Sequence, residues 1–386
     1  MKSPPPKSPF LFLLSTLRVG GSERKTVLIA NELWSKGYPV HVAYLNEPDT
    51  LVSLLDPDIP LACLNRKGKF SPGAMFRLRR YIRSNSIGAI FCINLYPMLY
   101  ALPLAALWRD ASLKCSVFIN TTDFPGAKGE RQMMIYAPML RRVDKLIFGC
   151  RQQEDMWTKK YKIDRSKSLY IYNGVDTRKF SVKSNSLQGS ATRQALGLPE
   201  DGLVIGTVGQ LRPEKHHRDL LSACAGLIDA GYGIFAILVG EGGERERLEA
   251  FALECGIQDK VFFLGELADV RPALAVMDIF VLTSTSVETF SNAALEAMAM
   301  SRPAVLSNIG GSPEMIEEGV NGFIYPCGDV NGLESALISL IDDPQARQTM
   351  GDAARRIVEE KFTFTRMVRD YEQMLLSGVD ERSMPR

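Results

Sequence analysis

Three histidines in 386 residues (His41, His216 and His217) leave little room for histidine chemistry. A His-ligated metal centre or a Ser-His-Asp hydrolase would have to draw on one of them. His41 lies in the apolar run Tyr38–Leu45 and reads as a structural residue of a buried strand. His216 and His217 read as part of an exposed helix start or, when protonated, as extra cations toward a phosphate. No Cys-x-x-Cys pair occurs either. The cysteines at 63, 92, 115, 150, 224, 255 and 327 form an odd, scattered set, which points to a reducing compartment and away from zinc or iron–sulfur sites. No apolar run approaches the ~18 residues needed to span a bilayer. The run Phe10–Leu17 follows two lysines, but it is short, and Arg18 rather than a small-residue cleavage site comes after it. It reads as a first strand, not as a signal peptide. Internal repeats, low-complexity tracts and recognisable nucleic-acid motifs are absent, so nucleic acid is not an expected partner.

What is present first is a charge split. The net charge is +2, yet residues 1–180 hold 28 Lys and Arg against 14 Asp and Glu, or +14. The remainder holds 18 against 30, or −12. Such asymmetry points to an anionic partner for the first half. The segment Met75–Arg83 reads as a basic amphipathic helix, which suits an anionic membrane surface; a solvated helix face is the bland alternative.

Apolar strand-like runs alternate with helix-like segments in two series. The first includes Phe10–Ser15, Val40–Leu45, Ala89–Ile93, Cys115–Ile119 and Lys145–Phe148. The second includes Val204–Val208, Ile234–Val239, Val261–Leu264, Ile279–Leu282 and Ala304–Leu306. This is the pattern of an α/β protein with two Rossmann-like, doubly wound parallel sheets. The Ser-rich stretch Ser181–Ser190 is the best linker candidate. Domain boundaries are expected at 1–178, a linker at 179–202, and 203–364, with a last helix from 365 folding back on the first domain.

Ligands of doubly wound sheets bind beyond the carboxyl ends of strands, and the glycine-rich and charged motifs follow strands in that way. The most informative is Glu288-Thr289-Phe290-Ser291, which runs into the helix-forming stretch from Asn292 and on to Glu296. Eight helical residues rise roughly 12 Å and turn about 80° off a shared face. Glu288 is therefore expected in the loop and Glu296 on the helix. A helix N-terminus offers free N–H groups and partial positive charge, which suits a phosphate. One carboxylate for each sugar end, with amides for the phosphates between, is one reading. Two solvated glutamates near an ordinary helix is the other.

The ordered set of motifs resembles one family. It comprises Gly20-Gly21-Ser22-Glu23-Arg24, Tyr172-Asn173-Gly174-Val175-Asp176, Gly209-Gln210-Leu211-Arg212-Pro213-Glu214-Lys215, and Leu238–Gly242. It continues through Phe263–Gly265, Glu288 with Glu296, Pro303–Val305, Gly310-Gly311-Ser312-Pro313-Glu314 and Gly319–Ile324. Over nearly the whole chain this is similar to the retaining glycosyltransferases of family 4. That resemblance implies the GT-B architecture, two Rossmann-like domains facing across a cleft. It also implies a metal-independent hexosyltransferase with no cofactor. The implied substrates are a nucleotide-diphosphate sugar, UDP- or GDP-linked, and a glycan or lipid-linked acceptor of cell-surface polysaccharide or glycolipid biosynthesis. The implied place is the cytoplasm, peripheral on the inner face of the plasma membrane.

By the same resemblance, Glu288 contacts hydroxyls of the transferred sugar and Glu296 the ribose. The backbone of Thr289, Phe290 and Ser291 meets the sugar and diphosphate. Lys215, with Gly209 and Gln210 in its loop, faces the leaving diphosphate. Gly20, Gly21 and Ser22 belong to the acceptor side. Three departures from the family pattern stand out. Its leaving-group arginine falls at Gln210, and Arg212 is read either as its substitute or as a solvated loop charge. Thr289 stands where a glycine is usual, and a β-branched residue is restricted at positive φ. A histidine usual after the strand ending at Ile119 is missing, leaving Asn120, Thr122 and Asp123 as acceptor-side candidates. Asp123 is read either as a general base or as a loop cap. Two rival readings remain at this level: a sugar-nucleotide epimerase of the same fold, and a non-catalytic nucleotide-sugar-binding paralogue.

Overall fold

A computed structural model describes residues 8–18, 20–107, 113–121, 126–199 and 202–379. The chain forms two compact units. One comprises Met1–Tyr172 with Met367–Arg386, the other Asn173–Arg366.

The first unit carries seven strands: β1 (Phe10–Leu14), β2 (Val40–Tyr44), β3 (Leu61–Cys63), β4 (Ala89–Ile93), β5 (Lys114–Ile119), β6 (Lys145–Phe148) and β7 (Ser168–Tyr170). Their order is β3-β2-β1-β4-β5-β6-β7, and every pairing is parallel. Parallel strands buried on both faces read as continuous apolar runs, as Phe10-Leu11-Phe12-Leu13-Leu14 does. Leu11 and Leu13 enter a core with Leu78, Met98 and Trp157. Phe10, Phe12, Phe91 and Phe118 form a ring ladder along the sheet. The C-terminal helix Phe364–Val379 covers that ladder, with Tyr371 stacked on Phe118 at 5.2 Å and Glu372 3.2 Å from Lys36.

The second unit has six strands: β8 (Leu203–Val208), β9 (Ile234–Val239), β10 (Val261–Gly265), β11 (Ile279–Leu282), β12 (Ala304–Ser307) and β13 (Gly322–Tyr325). Their order is β10-β9-β8-β11-β12-β13, again all parallel. Each sheet reverses its winding beside its first strand, between β1 and β4 and between β8 and β11. Such a switch point opens a crevice for ligands at the strands' carboxyl ends.

Two sequence expectations need correction here. The stretch 179–202, expected as a linker, lies inside the second unit, and Val182–Ala195 within it is a helix. Gly189 lets that helix lie against Ala275, where a Cβ would come within 2.8 Å of the alanine methyl. Packing on the neighbouring helix Arg271–Val276 overrides the weak helix propensity of its Ser- and Asn-rich first half. The units also divide at Tyr172 and Asn173, short of the expected boundary at 178. Three strands, β3, β7 and β13, are only three or four residues long, too short for a periodic signal in the sequence.

His41 is buried as expected, with Nδ1 2.9 Å from the Tyr81 hydroxyl. His217 is not exposed as expected. It is 4% exposed and its Nδ1 has no hydrogen-bond partner among the described residues. Burial, then the nearby Lys215 and His216 charges, lower its pKa from 6.5 to about 4. The folded protein therefore holds His217 neutral. The stability this confers is complete above about pH 6.5 and is lost as pH falls toward 4, because the unfolded state takes up the proton first. The shift is worth about 3 kcal/mol at most. His217→Gln should flatten the acid limb of a denaturation series between pH 7.5 and 4. Parallel limbs for the two proteins would assign the acid loss to other groups.

Candidate active site

In the second unit the loops after β8 and β11 meet at the switch point and are stitched together by the backbone. Thr283 Oγ1 donates to the Lys215 carbonyl at 2.7 Å, and Thr285 N donates to the Glu214 carbonyl at 3.0 Å. The result places Lys215 Nζ 2.6 Å from Glu288 Oε2. Ser284 Oγ donates to the same oxygen at 3.4 Å. Both side chains of the ion pair are largely buried, Lys215 at 24% and Glu288 at 11% exposure. Beneath them, Ser307 Oγ donates to the Ser284 carbonyl at 2.7 Å and the Tyr325 hydroxyl to that of Leu282 at 3.3 Å.

Glu288 lies in the loop, and the helix runs from Asn292 to Ala299 with Glu296 within it. Ser291 caps this helix, its Oγ accepting from Ala294 N at 3.2 Å. A Ser cap of this kind leaves the remaining first-turn N–H groups directed outward. Thr289 takes no positive φ, so the feared penalty of a β-branch there does not arise. The left-handed position lies across from it, at Gly310 with φ +55°. A Cβ on Gly310 would sit 2.9 Å from both the Glu288 carbonyl carbon and the Thr289 oxygen. The adjacent Gly311 N donates to that Thr289 oxygen at 2.6 Å.

The loop after β8 rests on the loop after β9. Leu211 N donates to the Glu241 carbonyl at 2.9 Å, and Glu244 N to that of Leu211 at 3.1 Å. A Cβ on Gly242 would fall 2.7 Å from the Leu211 carbonyl carbon, and one on Gly240, at φ +139°, 2.8 Å from that of Gly209. Gly209 itself has open space where a Cβ would stand. Gln210 and Arg212 are exposed on this loop, and Arg212 Nη1 lies 3.8 Å from Glu214. His216 takes a left-handed φ of +50°, with Nδ1 2.8 Å from Asp219.

The first unit has a second cluster at its own switch point. Gly20 precedes the helix Gly21–Ser35, and Ser22 Oγ donates to Glu23 at 2.8 Å. Lys25 Nζ donates to Asn120 Oδ1 at 2.9 Å, and Asn120 N donates to Asn94 Oδ1 at 3.1 Å. Burial pushes the Lys25 amine down to about 8 against the opposing pull of Glu23. Gln153 Nε2 holds the carbonyls of Ile119 at 3.1 Å and Thr121 at 2.6 Å. Thr122 and Asp123 lie outside the described residues. Asn94, Lys25 and Gln153 were missed in the sequence. Asn94 was findable, since it directly follows β4, whereas Gln153 belongs to a different helix and reaches the site only through folding. Among the described residues, no three His, Cys, Asp or Glu side chains group as a metal site.

Two doubly wound parallel units with these loops at their switch points define a GT-B architecture. The solved structure of Anabaena Alr3699/HepE in complex with UDP-glucose shares it, with a TM-score of 0.82 at 22% identity over 96% of this chain and 99% of that one. Residues 19–179 match the family described as Glycosyltransferase Family 4, and residues 190–357 match Glycosyl transferases group 1. The chain belongs to the family 4 glycosyltransferases. Among curated relatives, N-acetyl-alpha-D-glucosaminyl L-malate synthase of Bacillus anthracis is 30% identical over 202 residues, 52% of this chain and 51% of that protein. The lipopolysaccharide core biosynthesis glycosyltransferase LpsE of Rhizobium meliloti is 30% identical over 185 residues, 48% and 53% of the respective chains. The chain thus spans about half the length of the curated relatives it matches.

Proposed function

We propose that this protein transfers a hexose-type sugar from a nucleoside-diphosphate donor to a glycan or lipid-linked acceptor, with retention of anomeric configuration. The observation that carries the reading is the Lys215–Glu288 pair at 2.6 Å, set beside a capped helix N-terminus at the switch point. Cation and amides together suit a diphosphate, and the adjacent carboxylate suits sugar hydroxyls. As the bond from the anomeric carbon to phosphate oxygen breaks, negative charge grows on the leaving diphosphate. Lys215 and the amides of Thr289–Ser291 stabilise it there. Arg212 adds a second cation in place of Gln210. The acceptor oxygen forms the new bond on the same face, and its proton passes to the departing phosphate, so no side-chain base is required. Glu296 takes the ribose hydroxyls. UDP is the favoured nucleotide, since the neighbouring fold described above holds UDP-glucose. Gly20, Gly21, Ser22 and Asn120 form the acceptor side.

A thermal-shift screen of UDP-, GDP- and ADP-sugars tests the donor assignment. A ligand selective for the folded state adds about 2.7 kcal/mol at one hundred times its Kd. Absence of a shift with every nucleotide sugar would overturn the proposal. Donor conversion without any acceptor would indicate an epimerase, and binding without turnover across a broad acceptor panel a non-catalytic paralogue.

The setting we infer is the inner face of an anionic membrane. No helix among the described residues is long and apolar enough to cross one. The helix Pro72–Ser84 instead exposes Phe76 at 65%, and Phe70 just before it is 59% exposed, in a stretch of sequence that also carries Lys67, Lys69, Arg79, Arg80 and Arg83. Exposed apolar rings in a cation-rich segment suit shallow insertion into anionic headgroups. Co-sedimentation with phosphatidylglycerol vesicles should be strong at low salt and fall at high salt, and Phe76→Ser should weaken it. No binding at low salt would remove the membrane from the picture.

A further inference from the structure

The motif Tyr172–Asp176 has no role in the chemistry above, yet it touches the loop that does. Asn173 is buried, 8% exposed, and its Nδ2 donates to the Phe290 carbonyl at 2.7 Å across 117 residues of sequence. The Asn173 carbonyl in turn accepts from Arg366 Nη2 at 3.2 Å. Next to it, Val175 N donates to the Phe362 carbonyl and Phe364 N to that of Val175, both at 2.9 Å. Gly174 permits this lacing, since a Cβ there would come within 2.7 Å of the Thr363 carbonyl carbon. The Phe362 ring meets that of Phe290 edge-on, with centroids 5.3 Å apart. Asn173, where the chain enters the second unit, and Phe362, shortly before it leaves at Arg366, thus both hold Phe290 of the loop after β11.

The grip falls on a carbonyl, and that decides its consequence. In a trans peptide the C=O and the following N–H point in opposite directions. Fixing the Phe290 carbonyl aims the Ser291 amide away from Asn173. Gly311 N does the same one residue earlier by holding the Thr289 carbonyl at 2.6 Å, which aims the Phe290 amide. Two successive amides of the loop are therefore oriented by two donors from distant parts of the chain.

We propose that Asn173 is a positioning residue for donor binding, which holds the Phe290–Ser291 peptide so that its amide meets the donor diphosphate. This rests on the nucleotide-sugar reading above and adds to it a residue that touches no substrate. The test uses the full chain and measures Kd for UDP, GDP and ADP and for the matching monophosphates. Asn173→Asp keeps the shape but puts an oxygen where the donor was. It should weaken the bound nucleoside diphosphate about tenfold, the scale of one lost oriented hydrogen bond, and leave the monophosphate unchanged. In turnover, kcat/KM for the donor should fall alike while the acceptor KM holds. Asn173→Ser, too short to reach Phe290, should give the same split, and serves if the aspartate variant does not fold. Asn321→Ala is the control for a merely structural loss. Asn321 is fully buried and its Nδ2 likewise holds a carbonyl, that of Met315 at 3.0 Å. It should cost stability without separating diphosphate from monophosphate. Equal affinity in wild type and the Asn173 variants, or equal loss for both phosphate lengths, would overturn the role of Asn173 alone. A wild type that binds no nucleotide would overturn the donor assignment and this inference with it.

Discussion

Replacing Lys215 by alanine should lower turnover by roughly 10²–10³-fold, about 2.7–4 kcal/mol of transition-state stabilisation, with a much smaller change in donor KM. The reason lies in where the charge grows. A nucleoside diphosphate already bears negative charge in the ground state, so the ammonium contributes to binding. It contributes more as the sugar departs and a full further charge collects on the leaving oxygen. The same ammonium is held by Glu288 at 2.6 Å, in a largely buried setting that keeps it from wandering. The alanine variant also strands the Glu288 carboxylate with one cation fewer, so melting temperature should be measured alongside. Lys215→Arg should recover part of the rate, because it restores charge but not shape. Glu288→Gln should separate the two partners: it keeps a hydrogen-bonding group for the sugar and removes the charge that orients Lys215. Arg212→Ala should lower kcat more than it weakens donor binding. Its guanidinium is exposed and only 3.8 Å from Glu214, so it can turn toward a phosphate at small cost. Unchanged turnover in Lys215→Ala would end the case for this lysine, and unchanged turnover in Arg212→Ala would leave Gln210 without a substitute.

Gly310→Ala should abolish donor binding and destabilise the second unit. At φ +55° an alanine costs about 1–2 kcal/mol in backbone energy alone. Its methyl would further sit 2.9 Å from the Glu288 carbonyl carbon and nearer still to the oxygen, with backbone rather than a flexible side-chain tip in the way. Relief requires moving the Glu288–Thr289 peptide, which is the loop that presents the carboxylate. Total destabilisation of about 3–4 kcal/mol is expected, enough to lower the melting temperature by several degrees. Gly209→Ala is the informative contrast. It lies on the neighbouring loop, takes no positive φ, and has nothing within 4 Å of an added Cβ. Its melting temperature should match wild type, so any loss of donor affinity there reports crowding of the ligand rather than of the fold. A Gly310→Ala protein of native stability and affinity would show that the Glu288 loop tolerates displacement.

Several features of the fold and site were legible in the residues themselves. The strands β1, β2, β4, β5, β6, β8, β9, β10, β11 and β12 are near-continuous apolar runs, since a parallel sheet covered by helices on both faces demands them. The helix Asn292–Ala299 announces itself in Ser291 followed by Asn292, Ala293, Ala294 and Leu295, a capping residue before helix formers. Glu288, Glu296 and the glycines after β8 and β9 follow strand ends, where doubly wound sheets bind ligands. The short strands β3, β7 and β13 escaped because three or four residues carry too little pattern to set a strand apart. The helix Val182–Ala195 escaped because its Ser-rich start argues for a loop, and the Ala275 that packs on Gly189 lies 86 residues downstream. His217 escaped because burial of one side chain at a helix start leaves no periodic trace.

What the chain determined by itself was therefore local: the alternation of strand and helix, the two series, and the residue types at strand ends. Only tertiary structure decided which of those ends meet. Lys215 and Glu288 stand 73 residues apart and become an ion pair because β8 and β11 are neighbours in the sheet. Asn173 and Phe290 stand 117 apart and share a hydrogen bond because the chain's entry to the second unit passes beside the loop after β11. Sequence pattern has a period of two or about four residues. Contacts set by strand order have no period, and the geometry of the site is made of such contacts.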